Sequence, residues 1–199
     1  MTILVLIRHG QSVWNATNRF TGWTDVELSE KGEIEAANAG KQLADVRFDV
    51  VHTSALIRAQ RTAEIVMSKN RVSGEIPTKE DERLNERHYG DLQGLNKDET
   101  AEIHGAEQVR IWRRSFDVPP PGGESLEMTA ERTIPYFVEE IMPDLDSGMN
   151  VLVAAHGNSL RSIVMHIEDI SPEDITGLEI PTGAPMYYEF DNGQISRLE

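Results

Sequence analysis

Cysteine is absent from the chain of 199 residues. Disulfide bonds and metal sites built from cysteine thiolates are therefore excluded. No apolar run approaches the roughly 20 residues that a membrane-spanning helix requires. The apolar stretch near the N-terminus also lacks the charged region and cleavage site of a signal peptide. From these absences we expect a cytoplasmic protein with no membrane partner.

Positive charge is scarce as well, because 19 Lys and Arg residues stand against 34 Asp and Glu residues, for a formal net charge of -15. Binding to nucleic acid or to an anionic membrane depends on surplus cations that neutralise phosphates, so we expect neither partner. Several arginines nevertheless lie in or beside motif-like stretches, which indicates a small basic pocket within an acidic surface: Arg8, Arg58, Arg61, Arg87, Arg113 and Arg114.

A histidine followed by a glycine ends two separate apolar runs. Residues 2–7 form an apolar, β-branched run that stops at Arg8-His9-Gly10, and residues 150–155 form a second run that stops at His156-Gly157. Runs without alternation are typical of strands that are buried on both faces. Ligands bind at the carboxyl ends of such strands in open α/β sheets. If the two strands are neighbours, both imidazoles lie in one crevice, with Arg8 beside them.

Helical and extended patterns alternate along the rest of the chain. Residues 48–52 read as another strand, and residues 186–190 and 195–198 read as a closing hairpin around Asp191-Asn192-Gly193. The length suits one domain. We therefore predict a single α/β domain over residues 1–199, a three-layer α/β/α sandwich whose mostly parallel sheet has an antiparallel edge.

The helix predicted after the 48–52 strand offers two candidate anion ligands. We expect Thr53-Ser54 to cap this helix, which places Arg58 and Arg61 in its first turns, near the strand ends. A guanidinium there can bind phosphate oxygens in bidentate fashion. We favour Arg58 as a site residue, whereas Arg61 fits a site or a surface ion pair equally well. Residues 11–25 are polar and turn-rich, and we predict a loop over the crevice.

The remaining histidines carry no motif of their own. His52, His104 and His166 are interpreted as structural or surface residues, and His88 stays open between the two roles. None of the six histidines has the spacing of a zinc site, and no pair of them on one helix face has a carboxylate partner that would indicate one. We expect no metal.

Six longer motifs indicate which protein family the chain resembles. They are Arg8-His9-Gly10-Gln11-Ser12-Val13-Trp14-Asn15, Arg19-Phe20-Thr21-Gly22-Trp23, Leu84-Asn85-Glu86-Arg87-His88-Tyr89-Gly90, Leu92-Gln93-Gly94-Leu95-Asn96-Lys97, Trp112-Arg113-Arg114 and Ala155-His156-Gly157-Asn158-Ser159-Leu160-Arg161. This set, in this order, resembles the histidine phosphatase superfamily and, within it, the cofactor-dependent phosphoglycerate mutases. The resemblance covers nearly the whole chain and implies the phosphoglycerate mutase-like fold.

The resemblance implies a role for each matching residue. His9 would be the nucleophile that carries a phosphoryl group, and Glu86 the proton donor and acceptor, with Arg8 and His156 also catalytic. The phosphate would be held by Arg8, Asn15, Arg58 and His156, assisted by the backbone N–H of Gly157. The rest of the substrate would be clamped by Thr21, Gly22, Tyr89, Lys97, Arg113 and Arg114, and Glu86 and Asn158 would also bind substrate.

The implied reaction interconverts 3-phosphoglycerate and 2-phosphoglycerate, with 2,3-bisphosphoglycerate as the cofactor that phosphorylates His9. Arginines would neutralise the charge that Mg²⁺ neutralises in many kinases. The main alternative is a phosphatase of a small phosphorylated metabolite that uses His9 and Glu86 in the same way. A non-catalytic phosphate-binding module is a third possibility, but it would not require His9, Glu86 and His156 together.

Two features differ from longer members of the family. Only Gly122-Gly123 lies between Pro121 and Glu124, where many mutases have an insertion, and we expect no lysine-rich tail after Leu198. Such a tail is expected to help exclude water, which separates transfer to substrate from hydrolysis. The short segment also bears on subunit contacts, and we favour a monomer over a homo-oligomer.

Overall fold

A six-stranded sheet forms the centre of the fold, with the strand order β3-β2-β4-β1-β5-β6. The computed structural model describes residues 1–198, so Glu199, the last residue of the predicted domain, lies outside the described residues. The strands are β1 (Thr2–Arg8), β2 (Val50–Thr53), β3 (Thr78–Glu80), β4 (Val151–Ala155), β5 (Pro185–Asp191) and β6 (Gln194–Arg197).

The two strands that end in histidine are neighbours. β1 pairs in parallel with β4, and its Arg8 is in register with Ala155. β2 and β3 extend the parallel part of the sheet. The hairpin of β5 and β6 pairs antiparallel to β1 and forms the opposite edge. The condition that the two strands are neighbours is therefore met, and the predicted antiparallel edge is confirmed.

Helices cover both faces of the sheet. They are α1 (Val13–Ala16), α2 (Glu30–Gln42), α3 (Ile57–Lys69), α4 (Lys97–His104), α5 (Ala106–Arg114), α6 (Leu126–Tyr136), α7 (Met142–Asp146), α8 (Gly157–Glu168) and α9 (Pro172–Ile175). Leu4 and Leu6 of β1 pack on the side of α6 and α8. Val5 and Ile7 pack on the side of α2 and α3. Successive residues of β1 thus pack into two separate hydrophobic cores, one on each face of the sheet. This arrangement confirms the three-layer α/β/α sandwich.

Two local predictions were wrong. The segment predicted as a loop over residues 11–25 contains α1, which Ser12 and Asn15 initiate with reciprocal side-chain to backbone hydrogen bonds. Helix α3 starts after Leu56 and has no side-chain cap. Ser54 does not cap it, because the N-cap position is Leu56, and the Ser54 hydroxyl accepts from the Leu56 N–H and hydrogen-bonds to His156.

Candidate active site

A cleft of about 220 Å³ opens at the carboxyl ends of β1 and β4. The rings of His9 and His156 pack against each other there, with their centroids 4.9 Å apart. Apart from His156, every residue predicted to act in the site lines this cleft: Arg8, His9, Asn15, Thr21, Gly22, Arg58, Glu86, Tyr89, Lys97, Arg113, Arg114, Gly157 and Asn158. The structure therefore brings together residues that are up to 150 positions apart in sequence, as Arg8 and Asn158 show.

His9 is held in one tautomer. Its Nδ1 lies 2.6 Å from the carbonyl oxygen of Gly10, and because a carbonyl can only accept, Nδ1 must carry the proton. The lone pair is therefore on Nε2. Burial lowers the pKa of His9 well below its ordinary value, and the Arg58 and Arg8 guanidinium groups lower it further. A neutral imidazole with a free Nε2 is the form that can attack phosphorus.

His156 is positioned by a residue that sequence reasoning misassigned. Its Nε2 lies 2.7 Å from Ser54 Oγ, which also accepts a hydrogen bond from the Leu56 N–H. The Ser54 hydroxyl has one proton and two lone pairs, so it holds the His156 ring at Nε2 in either tautomer. Burial and the neighbouring Arg58 lower the pKa of His156 well below its ordinary value. Nδ1 is buried without a hydrogen-bond partner among the described residues.

Further buried polar atoms near the two histidines also lack partners within residues 1–198: Arg8 Nε, Arg58 Nε and Thr21 Oγ1. An unpaired buried donor costs about 1–3 kcal/mol, so this group of donors is suited to a ligand that supplies acceptors. Arg58 is held by backbone carbonyls, since it donates to Gly22 at 2.7 Å and to Thr24 at 3.1 Å. Burial lowers the pKa of Arg58 to about 10, which leaves it charged at neutral pH.

The N-terminus of α8 adds backbone donors to the same place. Gly157 is the first residue of α8 and lines the cleft. A Cβ at Gly157 would lie 3.6 Å from Arg8 Nε and 3.7 Å from Glu86 Oε2. Free N–H groups and the positive end of the helix dipole both favour an anion. The inner part of the cleft therefore has the composition of a phosphate site.

Glu86 is buried and ionised. Its Oε1 accepts hydrogen bonds from the Arg87 N–H at 2.8 Å, the Asn158 N–H at 3.0 Å and Asn158 Nδ2 at 2.9 Å. Burial acts to raise the pKa of Glu86, but the Arg8 guanidinium, the Arg87 N–H and Arg58 outweigh it and lower the pKa. Since Oε1 makes all three bonds, Oε2 remains available to exchange a proton with a ligand.

Lys97, Arg113 and Arg114 line the outer part of the cleft. Arg87, to which no role was given, does not line it; it is buried and donates to Tyr89 Oη at 3.1 Å and to the Arg113 carbonyl at 2.8 Å. Arg87 thereby joins the segment that contains Glu86, residues 84–90, to the last turn of α5. Asn15 contributes differently, because its Oδ1 accepts from the Ser12 N–H, which leaves its amide donors for a ligand.

Sequence reasoning missed several lining residues: Arg19, Phe20, Arg161 and Glu179. Arg19, Phe20 and Arg161 lie inside the quoted motifs, which was the only signal available for them. Glu179 had none. Arg61, whose role was left open, pairs with Glu33 and Glu64 at the surface, each at 3.2 Å. Arg58 alone of the two arginines lines the cleft.

The described residues, 1–198, contain no group of three or more His, Cys, Asp or Glu side chains that could hold a metal ion. In the same part of the chain, no helix is long and apolar enough to cross a membrane.

Comparison with known proteins places these residues in context. Residues 4–198 match the family described as the histidine phosphatase superfamily, branch 1. The 2,3-bisphosphoglycerate-dependent phosphoglycerate mutase of Cytophaga hutchinsonii is 56% identical over 192 residues, which are 96% of this chain and 89% of that protein. The protein of the same name from Parvibaculum lavamentivorans is 56% identical over 99% of this chain and 95% of its own length.

Solved structures share the fold at lower identity. Bacillus stearothermophilus YhfR aligns with a TM-score of 0.85 and 30% identity over 99% of this chain and 95% of its own. A mycobacterial glucosyl-3-phosphoglycerate phosphatase in complex with VO3 aligns with a TM-score of 0.84 and 26% identity, over 100% of this chain and 97% of its own.

Proposed function

The chain belongs to the histidine phosphatase superfamily and, within it, to the 2,3-bisphosphoglycerate-dependent phosphoglycerate mutase family, and on that basis we propose that it interconverts 3-phosphoglycerate and 2-phosphoglycerate. One observation carries the proposal. His9 is locked with its lone pair on Nε2, beside unpartnered cationic donors and the buried carboxylate of Glu86. Nucleophile, phosphate cage and proton carrier thus meet in one cleft, as phosphoryl transfer requires.

The residues present also fit the 2,3-bisphosphoglycerate cofactor. Such a molecule carries two phosphates and a carboxylate, and the cleft offers more cations than carboxylates: Arg8, Arg19, Arg58, Lys97, Arg113, Arg114 and Arg161 against Glu86 and Glu179. When bound, the cofactor supplies the phosphoryl group that primes His9. Arg8, Arg58, Asn15 and the α8 N-terminus would hold one phosphate. Tyr89, Lys97, Arg113 and Arg114 would hold the carboxylate and the second phosphate.

His9 and Glu86 then divide the chemistry between them. His9 Nε2 transfers its phosphoryl group to the 2-hydroxyl of 3-phosphoglycerate while Glu86 Oε2 accepts the proton of that hydroxyl. In the second half of the cycle, the 3-phosphoryl group passes to Nε2, and Oε2 returns the proton to the oxygen that leaves. The flanking guanidinium groups stabilise the charge on the equatorial phosphoryl oxygens throughout. Because Glu86 starts ionised, it acts first as a base.

A phosphatase of a small phosphorylated metabolite is the second candidate, since the same residues could direct water to phosphohistidine. The solved mycobacterial phosphatase shares this fold over the whole chain. The paired Arg113 and Arg114 at the cleft support the mutase, because a carboxylic acid substrate needs a second anion site.

The deciding experiment follows conversion of 3-phosphoglycerate to 2-phosphoglycerate with and without added 2,3-bisphosphoglycerate, while free phosphate is measured in parallel. Isomerisation that the bisphosphate stimulates, with little phosphate released, supports the mutase. Phosphate release without isomerisation supports the phosphatase. Failure of His9 to become phosphorylated would leave only a binding module.

We also propose a cellular compartment and an oligomeric state for the enzyme. The relatives are named as phosphoglycerate mutases, and we propose that this chain is a cytoplasmic enzyme of glycolysis and gluconeogenesis that acts on free phosphoglycerates. Residues 1–199 would act as one domain and as a monomer, with no nucleic-acid or membrane partner and no metal. Sedimentation measurements and an assay in the presence of a chelator test the monomer and the metal-free reaction.

A further inference from the structure

Glu179 is a carboxylate at the rim of a cleft that otherwise attracts anions. Its side chain is 67% exposed, and its Oε1 lies 2.7 Å from Arg114 Nη2. Its Oε2 lies 3.9 Å from Arg161 Nη2. Glu86, the other carboxylate that lines the cleft, is buried and bonded to backbone and amide groups. The carboxylate of Glu179 therefore forms an ion pair with the guanidinium of Arg114, which the proposed function assigns to substrate binding.

The backbone around Glu179 is fixed on both sides by arginines of the cleft. Arg161 Nε donates to the Leu178 carbonyl at 2.7 Å, and Arg8 Nη1 donates to the Ile180 carbonyl at 2.8 Å. The residues that flank Glu179 thus cannot move away without breaking charge-assisted hydrogen bonds. The carboxylate stays within reach of Arg114, and the side-chain torsions of Glu179 and Arg114 decide whether the ion pair is closed.

We propose that Glu179 is an internal counter-carboxylate that pairs with Arg114 in the free protein and is displaced by the carboxylate of the substrate. This inference rests on the proposed function, because it takes Arg114 as a substrate ligand. When the carboxylate of a ligand displaces Glu179, it forms its own ion pair with Arg114 and so replaces the interaction that is broken. A ligand with phosphate alone leaves the pair closed, and Glu179 remains at the rim. The residue therefore lowers affinity for carboxylated ligands and limits how tightly the phosphoglycerates are held.

The test compares Glu179→Gln with Glu173→Gln. Glu173 is an exposed residue of α9 that does not line the cleft, so its replacement removes the same charge a few residues away. Calorimetry at physiological salt measures the Kd of 3-phosphoglycerate and of inorganic phosphate for the unprimed wild-type protein and both variants. An exposed ion pair contributes up to about fivefold in a binding constant.

We expect Glu179→Gln to lower the Kd of 3-phosphoglycerate by about fivefold, with a clearly smaller change for inorganic phosphate and none for Glu173→Gln. An equal fall for both ligands overturns the inference, because it indicates a general effect of charge. An unchanged or higher Kd for 3-phosphoglycerate also overturns it, since Glu179 would then be idle or would orient Arg114 for the substrate.

The outcomes separate the inference from the proposed function. A wild-type protein that binds 3-phosphoglycerate and shows the expected Kd pattern, but does not isomerise it, supports the counter-carboxylate while the mutase assignment fails. A mutase whose Glu179→Gln variant shows no gain in affinity loses only the inference. If 3-phosphoglycerate binds to none of the three proteins, both are wrong.

Discussion

The inner and outer parts of the cleft are built differently. The inner part, formed by His9, His156, Arg58 and Glu86, is buried, and three of its four side chains are fixed by backbone groups. The outer part, formed by Lys97, Arg113, Arg114 and Glu179, is more exposed, and its one strong ion pair joins two side chains. Backbone partners cannot rotate away, whereas exposed side chains can. The chemistry is therefore preorganised within the cleft, and recognition is left to groups at the rim that can rearrange.

The largest effect should come from the inner part. Replacement of His9 by alanine should lower kcat by at least about 10⁴-fold, because no other side chain offers a free imidazole nitrogen at that position. Radiolabelled 2,3-bisphosphoglycerate should leave no label on the variant protein. His104, which is exposed on α4, provides the matched control, and its alanine variant should keep both labelling and activity. A His9 variant that still acquires label would contradict the assignment.

Glu86 should show the next largest effect. Glu86→Gln keeps the size of the side chain but removes the proton carrier, so kcat for the phosphoglycerates should fall by about 10²–10⁴-fold. The loss should be much smaller for hydrolysis of p-nitrophenyl phosphate, whose leaving group needs no proton. Steady-state kinetics with both substrates measure this difference. Equal losses would indicate that Glu86 acts only by shaping the site.

The rim should affect binding more than chemistry. Replacement of Arg113 or Arg114 by alanine should raise KM for 3-phosphoglycerate by roughly 10- to 100-fold, the range for a lost hydrogen bond to a charged group. Phosphorylation of His9 should change less. Arg110 lies on the same helix and pairs with Glu107 away from the cleft, so Arg110→Ala is the control. Equal losses in KM and in His9 phosphorylation would remove the distinction between rim and interior.

The smallest effect concerns pH. The pKa of His9 lies well below 6.5 because of burial and the nearby arginines, and the pKa of Glu86 is also lowered. Both groups are in their active forms above these lowered values, so activity should be lost only when the pH falls through the lowered pKa values of folded His9 and Glu86. Between pH 7.5 and 6.0 kcat/KM should stay nearly constant, whereas an unperturbed histidine would lose about fourfold. A fall of that size would show that His9 is more solvated than its burial indicates.

Prediction from sequence succeeded where the signal was local. Each histidine directly follows its own strand, β1 or β4, and the turn at each strand end is encoded by adjacent residues. The choice between Arg58 and Arg61 could not be made in this way. Both lie in the first turns of α3, and the packing of that helix against the sheet and α2 turned one guanidinium inward and left the other exposed.

Contacts between residues that are far apart in the sequence could not be predicted from the sequence. Ser54 was predicted to cap α3, but its hydroxyl instead meets His156, 102 positions away. Arg87 joins the Glu86 segment to Arg113 through a backbone carbonyl 26 positions away. Glu179 carried no motif at all, and its ion pair with Arg114 exists because α5 and the segment before β5 meet at the rim.

The amino-acid sequence by itself determined the strand ends, the histidines that follow them and the family to which the motifs belong, because each depends on neighbouring residues along the chain. The tertiary structure alone decided which tautomer His9 adopts, how Glu86 stays ionised despite burial, and which carboxylate occupies Arg114. Those properties depend on distances and burial, and both arise only when separate segments pack together.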